Sequence, residues 1–108
     1  MSTTIDCDVL VIGSGAGGLS TAITARKAGL DVIVAEKEPV FGGTTAFSGG
    51  VLWVPGSPYG KTQNAADTRV AARRYLENET GEHFDAGAVD AFLDNAPQMV
   101  EWFERETS

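Results

Sequence analysis

The stretch from Asp8 to Glu36 constrains this chain more than any other. Four apolar residues, Val9-Leu10-Val11-Ile12, run into Gly13-Ser14-Gly15-Ala16-Gly17-Gly18. A segment of small and apolar residues follows from Leu19 to Ala28 and is closed by Gly29. A second apolar run, Val32-Ile33-Val34-Ala35, then ends on Glu36. Short continuous apolar runs suit strands buried on both faces of a parallel sheet, and the segment between them suits a crossover helix. The expected order is a strand over Val9 to Ile12, a tight turn, a helix from Leu19 to Ala28, a strand from about Asp31 to Ala35, and an acid. In the helix Leu19, Ala22 and Ile23 share one stripe, and Arg26 and Lys27 stand near the end that favours cations.

Each glycine of the turn has a physical task. Gly13 lets the chain leave the strand sharply, Gly15 lets backbone approach a pyrophosphate, and Gly18 lets the helix pack closely on the strands. The unpaired N–H groups and positive dipole end of the following helix suit two phosphates. Glu36 lies 23 positions after Gly13. That is close to the offset of roughly 20 residues at which an acid accepts hydrogen bonds from ribose hydroxyls. Strand, turn, helix, strand and acid together point to an adenine dinucleotide site.

Beyond Glu36 the composition changes. Lys37-Glu38-Pro39-Val40-Phe41 leads into Gly42-Gly43-Thr44-Thr45-Ala46-Phe47-Ser48-Gly49-Gly50, and then into Val51-Leu52-Trp53-Val54-Pro55-Gly56. Two glycine pairs are costly to order, but bare amides are useful where a flat or anionic ligand must be approached. Phe41, Ala46, Phe47, Val51, Leu52 and Trp53 interleave with the glycines, which a solvent loop would not carry. Ser57 to Asn64 reads as a polar surface connection. Asp67 is the expected N-cap of a helix over Thr68 to Glu79 that buries Ala72, Tyr75 and Leu76, with Gly81 after its end. Asp85 is the expected cap of a helix over Ala86 to Asn95 that buries Val89, Phe92 and Leu93. Pro97 suits the first turn of a third helix to Arg105 that buries Met99, Val100 and Phe103.

The formal net charge of −7 over 108 residues argues against nucleic acid as a partner, yet not against a dianionic cofactor held by local backbone dipoles. Nine carboxylates stand against Arg105 between Glu77 and Glu106 and read as a solvated helical face. The one cysteine, Cys7, cannot form an internal disulfide, which suits a reducing cytoplasm, and it reads as a small buried residue. His83 sits in a polar connection and reads as solvated. No signal peptide, transmembrane run or metal-ligand cluster is evident.

The residues Asp8 to Gly18, Val34-Ala35-Glu36-Lys37 and Gly42 to Gly50 together resemble the FAD-binding start of the fumarate reductase and succinate dehydrogenase flavoprotein superfamily. The continuation Gly50-Val51-Leu52-Trp53-Val54-Pro55 looks most like the 3-ketosteroid dehydrogenases. The resemblance is strong over about residues 6 to 60 and looser in the helical tail. It implies an α/β fold: the N-terminal βαβ of a Rossmann-like FAD-binding domain (about 7–36), a flavin-contacting loop (37–60) and a helical segment (65–106), with the rest of the domain and a substrate domain outside this chain. By this resemblance Gly13, Gly15, Ala16, Gly17 and Gly18 form the pyrophosphate turn, and Glu36 holds the ribose with Lys37 beside it. Gly42, Gly43, Thr44 and Thr45 continue along the phosphates, and Ala46, Ser48, Gly49 and Gly50 run past the isoalloxazine ring. Trp53 and Pro55 either wall the substrate side or pack as ordinary core.

The chemistry implied is FAD-dependent dehydrogenation of a carbon–carbon bond next to a ketone, with a small-molecule substrate of the 3-ketosteroid kind. Neither Tyr59 nor Tyr75 sits in the context of the family's catalytic tyrosines, so the catalytic residues are expected beyond Ser108. The alternatives are a fumarate-reductase-like flavoprotein running double-bond reduction, and an NAD-dependent dehydrogenase, against which the second glycine-rich loop argues. A further alternative is a cofactor-binding fragment without activity of its own. The electron acceptor is not legible.

Overall fold

The computed structural model describes residues 2–107, which divide at Val51/Leu52 into two compact units. In the first unit, strand β1 (Val9–Ile12) leads into helix α1 (Ala16–Lys27), and strand β2 (Val32–Ala35) returns parallel to β1. The register pairs Val9 with Val32 and Ile12 with Ala35. Asp8 and Val9 both donate to the Asp31 carbonyl, at 2.9 and 3.1 Å, and the Gly13 N–H donates to the Ala35 carbonyl at 2.7 Å, so the ladder is closed at both ends. A 3-10 turn, Gly43–Phe47, follows β2. Among the described residues the sheet has two strands.

Helix α1 starts at Ala16 rather than Leu19, with Gly15 as its N-cap. Gly17 and Gly18 are therefore helical and not part of the turn. The helix can begin this early because the Gly18 Cα lies against the backbone of Gly13, where a Cβ would fall 2.0 Å from the Gly13 oxygen. Low helix propensity is overridden there by a contact that only glycine permits. The other end follows expectation. Gly29 N–H donates to Arg26 O at 3.0 Å and Leu30 N–H to Ala25 O at 3.2 Å, a Schellman closure.

Val9 and Val11 lie on the α1 face of β1, and Val11 is buried against Gly18. The alternate residues, Leu10 and Ile12, are 57% and 76% exposed. Apolar character on both faces thus meets cover on one, since one crossover helix lies on one side of a parallel pair. The interleaved apolar residues of the glycine-rich loop differ from expectation in the same way, with Phe47 90% exposed and Phe41 and Val51 nearly as open.

The second unit holds α2 (Pro58–Gln63), α3 (Arg69–Thr80), a 3-10 turn (Gly81–His83) and α4 (Ala86–Thr107). The stretch expected as a plain connection contains α2. Ser57 caps it, accepting from Gly60 N–H at 3.1 Å, and Pro58 takes the first helical position. The N-cap of α3 is Thr68, not Asp67: its hydroxyl accepts from Ala71 N–H at 3.2 Å. Asp67 instead accepts from Gly56 N–H at 3.0 Å and ties the loop before α2 to the start of α3. We expect Thr68→Ala to lower the stability of this unit by about 1 kcal/mol, read as a lower thermal midpoint, while Thr62→Ala, whose hydroxyl bonds only within α2, changes it less.

Helix α4 replaces the two helices expected around Pro97. Asp85 caps it as expected, accepting from Ala88 N–H at 2.9 Å. Leu93 and Ala96 before the proline and Val100 and Phe103 after it form one stripe at helical spacing, buried or half-buried throughout. Burial of that continuous stripe outweighs the single hydrogen bond a proline removes. Trp53 stacks on Phe92 at 6.1 Å and meets Tyr75 at 5.8 Å, a ring cluster in which Trp53 and Tyr75 both remain half-exposed. Part of the acidic surplus is not merely solvated. Asp90 and Asp94 bind Arg69, and Asp90 also accepts from Arg73 Nε at 3.0 Å. These pairs join α3 to α4 at half-exposed positions, so they set register more than stability.

Candidate functional site

The candidate site lies in the first unit, where two glycine-rich bends meet. The Gly42 N–H donates to Ser14 Oγ at 2.9 Å, and the Ala16 N–H donates to Thr45 Oγ1 at 3.1 Å. Gly43 stands against Gly15, where a Cβ would fall 3.3 Å from the Gly15 Cα. Gly42 adopts φ +118°, a left-handed region closed to most side chains, which turns the second bend back toward the first. Residues separated by almost thirty positions therefore share one corner at the N-terminus of α1.

Glu36, at the end of β2, points into that corner. Its Oε2 accepts from the Ser14 N–H at 2.9 Å and from the Ser14 hydroxyl, and its Oε1 accepts from the Glu38 N–H at 3.1 Å. The Ser14 hydroxyl, followed by the Glu38 and Ser14 N–H groups, holds the Glu36 carboxyl at a pKa of about 2, well below the usual carboxylate range. Ser14 is the most deeply buried side chain described, 1% exposed, yet its hydroxyl and its N–H both find partners. It was not singled out from sequence. The available signal was a hydroxyl residue between the first two glycines, a position where only small side chains fit.

The other expected residues fall in two groups. Gly13 carries a positive φ of +93° and makes the turn, and Gly17 N–H and Gly18 N–H precede the first α1 hydrogen bond, Leu19 N–H to Gly15 O. A Cβ built on Gly17 meets nothing within 4 Å, so the helix start is open on that side. Thr44 and Ala46 line a cleft of about 500 Å³ with Glu36, Phe41 and Gly43. Lys37 stands at this cleft but pairs with Glu38 at 3.5 Å, its side chain almost fully exposed, rather than joining the Ser14–Glu36 cluster. Ser48 lies apart from the corner: its hydroxyl donates to Thr45 O at 2.7 Å and accepts from Gly50 N–H at 3.2 Å. Gly49 and Gly50 stand in open space. The Ala16 N–H, expected to face a phosphate, is instead capped by Thr45.

The corner is chemically a polar grip without cationic side chains. It offers backbone N–H groups at a helix start, bare glycine surface beside them, and an ionised carboxylate at a cleft. These features fit a diphosphate joined to a ribose. Among the described residues no cluster suits a metal ion, and no helix is long and apolar enough to cross a membrane.

Residues 8–107 match the FAD binding domain family. Over 104 residues the chain is 52% identical to 4-oxocyclohex-2-ene-1-carboxylate 5-dehydrogenase of Sinomonas cyclohexanicum, covering 96% of this chain and 17% of that protein. It is 41% identical over 105 residues to 3-oxosteroid 1-dehydrogenase of Mycobacterium tuberculosis, covering 97% of this chain and 19% of the relative. Among solved structures, 3-ketosteroid delta1-dehydrogenase from Sterolibacterium denitrificans, in complex with 1,4-androstadiene-3,17-dione, superposes with a TM-score of 0.80 at 39% identity, over 92% of this chain and 17% of that one. The chain thus spans about a fifth of the length of the relatives it matches. A match running from the first strand to the last helix decides between the two dinucleotides: the chain belongs to the FAD binding domain family, and its cofactor is FAD.

Proposed function

We propose that this chain is the cofactor-gripping part of a flavoenzyme that dehydrogenates a carbon–carbon bond next to a ring ketone, with a 3-ketosteroid as substrate. The observation that carries the reading is the meeting of the two glycine bends around Glu36, with Ser14 and Thr45 linking them. Bound FAD supplies an acceptor for the hydride leaving the substrate. The chain's own residues bind and orient it. Gly15, Gly17 and Gly18 bring main chain to the diphosphate, Glu36 accepts from the ribose, and Gly43 and Thr44 line the cleft beside it. Ala46, Ser48, Gly49 and Gly50 continue toward the ring. Lys37 stands outside the grip and acts at most on the cleft's rim.

In this reading the βαβ unit, the glycine-rich loop and the helical segment form the N-terminal part of one FAD domain. The open face of Leu10 and Ile12 is covered by the remainder of that domain, and the catalytic acid–base groups come from beyond Ser108. A smaller substrate, an oxocyclohexene carboxylate, is a second reading, favoured by the higher identity to the relative that bears that name.

The full-length protein, purified and kept free of oxygen, is expected to be yellow and to lose its visible flavin absorbance on adding a 3-ketosteroid. Bleaching by the oxocyclohexene carboxylate alone selects the second reading. Bleaching by neither, with reoxidation of the reduced flavin by fumarate, overturns the direction of the reaction.

A further inference from the structure

We propose that Ser14 is the positioning residue of the cofactor site, fixing Glu36 so that Oε1 alone is presented to the ribose and anchoring the second glycine bend at the same atom. The inference rests on the reading of Glu36 as the ribose acceptor.

The geometry is directional. The Gly42 N–H donates to Ser14 Oγ at 2.9 Å, which leaves the hydroxyl proton to be donated, and it goes to Glu36 Oε2. The Ser14 N–H reaches that same oxygen at 2.9 Å. Oε2 therefore accepts two bonds from one residue, which fills its in-plane acceptor directions. Oε1 accepts from Glu38 N–H at 3.1 Å, and, with the Lys37 N–H lending the carboxylate a weaker contribution, it is the oxygen with capacity left for another donor. The serine thus serves three ends: the turn after β1, the acid after β2, and the start of the loop that follows. At 1% exposure no water competes for its hydroxyl. Serine fits where neighbours of other size do not, since the hydroxyl must lie within reach of a carboxylate and an amide at once.

The charged groups nearest Glu36 are Lys37 and Glu38, which pair with each other at 3.5 Å, and the remaining residues that line the cleft carry no titratable side chain. Among the described residues no cationic group pairs with Glu36, so hydrogen bonding is what keeps it ionised, and the Ser14 hydroxyl is the largest cause. Without that hydroxyl the carboxyl returns toward its ordinary value of 4.5. A merely structural serine would weaken cofactor binding equally at every pH. A positioning serine makes the weakening grow as pH falls.

The test measures FAD affinity by flavin fluorescence quenching from pH 8 to 4, on full-length wild-type protein, Ser14→Ala and Glu36→Gln, with far-UV circular dichroism on the same samples. S14A is expected to bind FAD about tenfold more weakly at neutral pH, and the deficit is expected to widen below about pH 5, as the carboxyl begins to protonate on its way back toward 4.5. E36Q is expected to be weaker at all pH values with no such widening, and adding S14A to E36Q should weaken binding less than S14A weakens the wild type, the remainder being the lost anchor to Gly42. An S14A deficit that is absent, or the same at every pH, overturns the proposal, as does full additivity of the two substitutions. Unchanged affinity in E36Q instead overturns the ribose reading beneath it. If S14A does not fold, Ser14→Cys, similar in shape with a weak donor, is judged by the same criteria.

Discussion

Gly18→Ala is expected to give a protein that purifies colourless, or does not fold. A Cβ at this position falls 2.0 Å from the Gly13 oxygen and 2.9 Å from the Gly13 carbon, both main-chain atoms, and 3.4 Å from Val11 Cγ1. Main chain at the end of β1 cannot rotate aside as a side chain can, so α1 must lift from the sheet. The loss is on the order of 3 kcal/mol or more, at the upper end of overpacking effects. It falls on a unit whose most buried apolar side chain is Val11 itself. The shift also moves the start of α1 away from Thr45 and Gly43. Gly17→Ala is the internal comparison. A Cβ there meets nothing within 4 Å, and alanine favours the helix by up to about 1 kcal/mol. Thermal unfolding of the flavin-free proteins should therefore place G17A at or above wild type and G18A far below it. Equal midpoints for the two would mean that α1 does not sit on Gly13 as described.

Glu36→Ala is the second large effect, and its first consequence is inside the protein. It leaves the Ser14 hydroxyl and the N–H groups of Ser14 and Glu38 without their acceptor, two of the three on a fully buried residue. Unsatisfied buried donors are more costly than an absent bond. On the proposed reading the ribose also loses its acceptor, and a combined fall in FAD affinity of about a hundredfold is expected, equivalent to two decades in dissociation constant. Flavin content after gel filtration reads it directly, and retention equal to wild type would place the ribose elsewhere. The acid side of the stability profile changes as well. A carboxyl held at about 2 contributes stability that is complete above its ordinary value of 4.5 and is lost as pH falls from there toward 2. E36A lacks that dependence, so the gap between wild type and variant narrows as the solution is acidified through this window.

How much of this was legible beforehand differs by element. The βαβ order, the Schellman end at Gly29 and the capping role of Asp85 follow from local chemistry, and each stands where the residues placed it. Local signals failed where two comparable candidates competed. Asp67 and Thr68 are both good caps, and the choice went to Thr68 because Asp67 was drawn to the Gly56 amide, 11 positions away. Pro97 is a strong local break, overruled by a stripe whose burial depends on α3. The early start of α1 needed the contact between Gly18 and Gly13, which no propensity encodes.

At the site, sequence marked out the candidate residues: a glycine turn, an acid 23 positions on, and a second glycine-rich loop. Their spacing is a property of a single strand–helix–strand unit, and the motif is legible because all its parts are local to that unit. Only the tertiary structure decided how the parts divide the work. It capped Ala16 with Thr45, left Lys37 to its neighbour Glu38, and gave Ser14 the central position. Those outcomes depend on which of several donors reaches one carboxylate oxygen at under 3 Å. Distances of that kind arise when the second bend folds back over the first, and no order of residues along the chain specifies them.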